Sequence, residues 1–254
     1  MITFGEGAGC GDQHARAGDA ALELADLGNW RVSEAPAGFD QNDGLVTPDD
    51  LVRRYPRCYH LASAGALPSI QRLGLLSTSR LLEEWEVPAE KRHRLTTRLR
   101  HQPERVIHPA HGVADIRDQH TMNESMLRRS LIDMTVEEWL IQLNSHVFFA
   151  ATARRLEALY RAYSVVPRLV LTVDTSLLLK QHGDSVRLSH LNTGAVRHVG
   201  HERGTKTFLP VEEFVHERAG WVAEIAVTDC VQITPGLLEQ AEIWHPDGRR
   251  ERVP

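Results

Sequence analysis

The apolar segments of this chain are short, unequal and irregularly spaced, and that spacing limits its fold more than any other feature. Cys58 to Leu61, Val147 to Phe149, Leu169 to Val173 and Trp221 to Val227 carry the β-branched and aromatic content of strands. Between them lie helical stretches of differing length, not one regular crossover helix per strand. A doubly wound sheet or a barrel of alternating units needs that regularity. The pattern therefore predicts an α+β fold. No internal repeat or low-complexity tract points elsewhere.

Local signals divide the chain. Residues 1–44 are rich in Gly, Ala and Asp, lack sustained periodicity, and read as a loosely ordered acidic extension. Order is expected to begin at Thr47-Pro48-Asp49-Asp50, where a capping Thr, a proline at the first helical position and two acids announce a helix. From there residues 45–254 read as a single domain. A strand at Cys58 to Leu61 is followed by a helix that Ser63 caps and Gly74 ends. Ser79 to Arg100 is helical, broken at Pro88, and leads to a loop rich in His and Pro. Helices follow from Asn123, from Thr135 with Glu138 as a capping box, and over Arg154 to Tyr163. Pro246-Asp247-Gly248 marks a hairpin in the tail.

Composition removes several classes. No stretch approaches the roughly 18 consecutive apolar residues of a membrane span, and no basic-then-apolar leader opens the sequence, so a cytoplasmic protein without a membrane partner is expected. Cys10, Cys58 and Cys230 are too scattered for a disulfide framework or a paired zinc knuckle. His101, His108, His111 and His120 cluster in one segment, but Pro109 and the lack of an acid at helical spacing argue against a preformed zinc site, so no metal is expected. The net charge of -5 is concentrated in residues 1–44, which leaves the rest close to neutral. Charge alone neither demands nor excludes an anionic partner. Gly5-Glu6-Gly7-Ala8-Gly9 precedes no strand-helix-strand unit, which disfavours a Rossmann dehydrogenase.

Three blocks place polar or aromatic groups where a core strand would normally hold an aliphatic. They are Tyr59-His60-Leu61, Val147-Phe148-Phe149-Ala150 and Ala223-Glu224-Ile225-Ala226-Val227. Strand alternation sets Val222, Glu224 and Ala226 on one face. The carboxylate of Glu224 then either lines a cleft or lies on a solvated face. For His60 the plain alternative is a core histidine bonded to backbone, and for Phe148 and Phe149 it is ordinary packing.

In their order these blocks resemble the ADP-ribosyltransferase superfamily, and more closely the DarT-type toxins that modify nucleic acid. Tyr59-His60-Leu61 with Leu67-Pro68-Ser69-Ile70 and Gly74-Leu75-Leu76-Ser77 looks like that family's opening strand and helix. The Phe148-Phe149 block looks like its middle strand, and Ala223-Glu224 like its last catalytic strand. The resemblance implies two small, mostly antiparallel sheets forming a central cleft, with helices packed around them. It implies NAD as co-substrate, DNA or RNA as acceptor, and an antitoxin as partner of a toxin-type member. It implies that Glu224 is catalytic, that His60 holds the nicotinamide ribose, that Phe149 or Phe148 lies against nicotinamide, and that Tyr59, Leu61 and Ser77 line the NAD site. Arg117 is the candidate for that family's arginine, by order only. Arg203, Thr207 and Asn192 are candidate substrate contacts, with a plain basic loop and a plain turn as the alternatives.

Chemistry supports such roles independently. Breaking the bond from nicotinamide to ribose develops positive charge, so a fixed anion binds the transition state more strongly than the ground state. The same carboxylate can accept the acceptor's proton. Val222 stands where arginine-modifying members carry a second acid and some guanine-modifying members a Gln, which leaves the acceptor open. NAD hydrolysis, a non-catalytic nucleotide or nucleic-acid binding module of the same fold, and an RNA 2'-phosphotransferase are the rival readings. The basic set of the last is not traceable in this sequence.

Overall fold

The computed structural model describes residues 45–196, 200–215 and 222–254; the extension expected over residues 1–44 lies outside them, as does Trp221. Helix α1 (Pro48–Arg54) starts where its cap predicts. Thr47 Oγ1 accepts the Asp50 amide at 3.1 Å and the Asp50 carboxylate accepts the Thr47 amide at 3.3 Å. Strand β1 (Arg57–Ser63) and helix α2 (Leu67–Leu73) follow. The expected Ser63 cap is not there: Ser63 is the last residue of β1, and Ala66, with no side-chain bond, precedes the helix. Two extra residues of strand and a tight turn, closed by the Ala66 amide on the Ser63 carbonyl at 3.0 Å, displace the helix start.

Gly74 ends α2 at φ +84°, a left-handed value open to glycine, and β2 (Leu75–Leu76) leaves directly. Ser77 then caps α3 (Thr78–Glu84), and α4 (Ala89–Thr97) follows the predicted break at Pro88. The segment expected as a His- and Pro-rich loop is instead a hairpin, β3 (Glu104–His108) and β4 (Gly112–Ile116). Its alternation is hidden in the sequence because only one face is buried: Val106 and Ile116 pack under α3 and α4, while Ile107 and Val113 are exposed. Helices α5 (Glu124–Ser130), α6 (Val136–Asn144) and α7 (Ala153–Ala162) carry the caps predicted at Asn123 and Thr135, plus one at Thr152. Strands β5 (His146–Ala150) and β6 (Arg168–Asp174) fall where expected. Helix α8 (Thr175–His182) and β7 (Val186–Ser189) do not follow from the sequence reading. The chain closes with β8 (Glu224–Thr228), β9 (Cys230–Val231), β10 (Leu238–Trp244) and β11 (Arg250–Arg252), the last two joined by the predicted hairpin with Gly248 at φ +87°.

The protein is α+β. In place of two small sheets, β11-β10-β6-β1-β5-β8-β7 form one seven-stranded antiparallel sheet, with β2-β9 and β3-β4 as separate ladders. The sheet is nearly divided, however. Strand β1 pairs with β6 through all seven of its residues but with β5 only at Tyr59↔Ala150. Beyond that pair the two strands fork. A single core fills one face beneath both halves, from Cys58, Leu169 and Leu171 on one side of the fork to Phe149, Leu188 and Ile225 on the other. On the opposite face α7 covers Leu61, Ala150 and Val170, while α5 and α6 cover Phe148 and Ala226. Among the described residues no helix is long and apolar enough to cross a membrane.

Candidate functional site

Two clusters of polar groups flank the Tyr59↔Ala150 junction. The first fills the fork. A continuous ladder would bond the carbonyls of Leu61 and Phe148 across the gap between β1 and β5; here side chains take them. Arg117 Nη2 donates to the Leu61 carbonyl at 2.9 Å, and His60 Nδ1 lies 2.8 Å from the Phe148 carbonyl. That bond requires a proton on Nδ1 and leaves the Nε2 lone pair for another donor. The His60 ring tilts against fully buried Phe149, with centroids 5.6 Å apart. Burial pushes its pKa down to about 4, so the ring is neutral at physiological pH.

The Arg117 guanidinium lies 4.4 Å over the ring of Tyr163, at the end of α7. Its position is built from below. Buried Arg100 donates from Nε to the Arg117 carbonyl at 3.0 Å and from Nη2 to Asn144 Oδ1 at 3.1 Å, tying the base of the hairpin to α6. Beside Arg117, the exposed His120 ring pairs with Asp118 and meets Tyr163 edge-on at 5.8 Å.

The second cluster surrounds Glu224, the first residue of β8. Its Oε2 accepts from Thr193 Oγ1 at 2.6 Å and from the Thr193 amide at 3.1 Å. Burial of the half-buried carboxyl raises its pKa; the two Thr193 bonds, Arg155 and Arg203 oppose that rise. Arg203 is itself held in place: Nη1 donates to the His201 carbonyl and Nη2 to the Ala195 carbonyl, each at 3.0 Å. The Asn192–Val196 loop that carries Thr193 is pinned by Thr121 Oγ1 on the Gly194 carbonyl at 2.6 Å and by the Val196 amide on the Thr121 carbonyl at 3.0 Å. The segment after Arg117 and the loop that holds Glu224 are therefore one connected structure.

Register relates the clusters. Tyr59, Ala150, Glu224 and Ser189 form one transverse row, and the next row pairs Phe149 with Ile225. Alternation turns Tyr59 and Glu224 toward the face that α7 covers and Phe149 toward the other. His60 rests on Phe149, one row away from Glu224, and no hydrogen bond joins the two. Tyr59, not His60, is the β1 side chain that shares the carboxylate's row.

The remaining expected site residues divide. His60, Leu61, Phe148, Phe149 and Arg117 gather at the fork, and the Arg203 charge acts on Glu224. Ser77 is 1% exposed and its hydroxyl accepts the Arg80 amide as the cap of α3. Thr207 Oγ1 accepts the Gly204 amide at 2.9 Å within a short turn. Asn192 is exposed, and its neighbour Thr193 makes the contact with Glu224. Sequence reasoning assigned no role to Arg155, although a signal was present: Thr152-Ala153-Arg154-Arg155 places two cations in the first turn of a helix, where the dipole favours anions.

Residues 56–234 match the model of a family of unknown function, DUF7002, and the chain belongs to that family. The matched span runs from β1 through β9 and contains both clusters. No curated protein matches the chain, and no solved structure does.

Proposed function

We propose that this protein is an NAD-dependent ADP-ribosyltransferase of the DarT-like kind, which modifies a nucleobase in DNA or RNA from the cytoplasm and acts as a toxin or defence enzyme. The observation that carries the reading is Glu224: a half-buried carboxylate fixed by two Thr193 bonds and within the electrostatic influence of Arg155 and Arg203, one transverse row from a fork in the sheet lined by His60, Arg117 and Phe149. The forked sheet supports the likeness to a fold in which two small sheets enclose the NAD cleft.

NAD supplies the ADP-ribosyl group, and its nicotinamide leaves with the bonding electron pair. The Oε1 edge of Glu224, which makes no hydrogen bond among the described residues, stabilises positive charge developing at the ribose carbon, and Thr193 keeps the carboxylate from rotating away. As the acceptor nitrogen or oxygen bonds to that carbon, Glu224 receives its proton; a pKa raised by burial suits a base for that step. His60 Nε2 accepts a hydrogen bond from the nicotinamide amide or a ribose hydroxyl, and Phe149 backs the imidazole and excludes water. Arg117 neutralises charge at the fork.

The test is release of nicotinamide from NAD by the full chain, with and without single-stranded DNA, duplex DNA or RNA. Release that rises with one nucleic acid, together with a mass gain on that nucleic acid, is expected. Glu224→Gln should lower it by about 100-fold or more while melting as the wild type does. Release in the absence of any acceptor would identify NAD hydrolysis instead. No release under any condition, or full release by the variant, overturns the assignment.

A further inference from the structure

We propose that Arg155 is the seat of a phosphate, namely the diphosphate of the molecule whose ribose lies against Glu224; the inference rests on the functional reading above. The position follows from the chain. Ala150 is the cross-strand partner of Glu224, the Ala151 amide donates to the Ala223 carbonyl at 3.4 Å, and Thr152 caps α7 by accepting the Arg155 amide at 3.3 Å. Arg155 is thus in the helical turn that begins directly beside the carboxylate, and Glu224 and Tyr55 act on its charge and oppose the lowering of its pKa by burial.

What marks Arg155 is that it is not used. Its side chain is half-buried, and burial pulls its pKa down, yet among the described residues it makes no hydrogen bond and no ion pair. A guanidinium carries five N–H donors, and none of those of Arg155 is fully buried, so they are open to an incoming acceptor. A structural arginine in the same protein looks different: Arg100 places its donors on two backbone carbonyls and Asn144. The charge balance points the same way. Arg155 and Arg203 both act on one carboxylate, which leaves a positive surplus, and among the described residues Arg203 Nε is buried with no partner of its own.

A phosphate oxyanion matches the planar donor fork of a guanidinium. In a nucleotide ribose the 5'-phosphate hangs a few bonds from the anomeric carbon, so a cation in the turn next to Glu224 is placed where a phosphate would have to be held. Arg117 is less suited, because its guanidinium is already engaged by the Leu61 carbonyl and the Tyr163 ring.

Calorimetric titration of ADP-ribose and of adenosine into the full chain tests this, for wild type, Arg155→Ala and Arg155→Lys, with thermal melting and nicotinamide release measured alongside. The Ala variant should bind ADP-ribose at least 10-fold more weakly, the Lys variant should recover part of that loss, and adenosine, which lacks phosphate, should not distinguish the three. Melting should stay level or rise in the Ala variant, since a charge without partners has been removed. Equal ADP-ribose binding by wild type and Ala variant, alongside nicotinamide release, overturns the Arg155 assignment alone. So does a lowered melting temperature, which would mean a structural role. Dependence of single-stranded oligonucleotide binding, but not of ADP-ribose binding, on Arg155 overturns it in favour of an acceptor phosphate. Absence of both nicotinamide release and ADP-ribose binding in the wild type overturns the functional reading with it.

Discussion

Glu224 is a carboxylate on a strand whose next three residues are all buried, and it stays there because Thr193 satisfies one oxygen from both its amide and its hydroxyl. The acid was legible in the sequence as a break in an apolar run. Its partner was not, because Thr193 comes from a loop about 30 residues upstream, brought to the carboxylate only by tertiary structure. His60 shows the same limit in reverse. Its bond to the Phe148 carbonyl is the plain core-histidine behaviour that sequence alone allows, and its place in the fork depends on where two strands part. The imidazole also makes a pH prediction. Its folded pKa of about 4 lies below the ordinary 6.5, so as pH falls the unfolded chain takes up the proton first. The stability tied to His60 is complete above pH 6.5 and is lost as pH drops toward 4, by at most about 3.5 kcal/mol at roughly 1.4 kcal/mol per pH unit. In urea unfolding measured across that range, wild type should lose more stability than His60→Asn, whose amide can still donate to Phe148; parallel curves would show that the imidazole carries no such linkage.

At the level of elements, capping and turn chemistry predicted α1, α5 and α6 and the tail hairpin, because each signal acts within four residues. The hairpin β3-β4 was missed because its exposed face carries Ile107 and Val113 beside histidines and a proline, so alternation does not separate in from out. Helix α8 and strand β7 were missed too; the former buries only Thr175 and Leu178. Gly74 was legible as a stop signal, but the structure adds a second requirement. A Cβ there would lie 2.6 Å from the Val231 carbonyl oxygen, where β9 crosses the helix end. Gly74→Ala should therefore destabilise by about 1–3 kcal/mol through strain at positive φ plus the displacement of β9. Unfolding free energies in urea check this, and a loss under about 0.5 kcal/mol would mean that β9 moves aside freely.

Across the whole sheet, the halves on either side of the fork share one register pair but also one core, which runs without interruption beneath both. Trp244 packs on one half and Trp139 on the other. Residues 45–254 should therefore unfold in one cooperative step, with tryptophan fluorescence and far-ultraviolet circular dichroism giving the same urea midpoint; two midpoints would mean that the halves are stable independently. The division of the sheet has one more consequence. The gap between β1 and β5 is propped by an imidazole and a guanidinium where a ladder would otherwise run, so its width is set by the reach of two side chains. Cut both props short and the bare carbonyls of Leu61 and Phe148 are left facing the opposing strand, each with reason to bond there. The same backbone is thus two residues away from sealing into an unbroken sheet with no doorway.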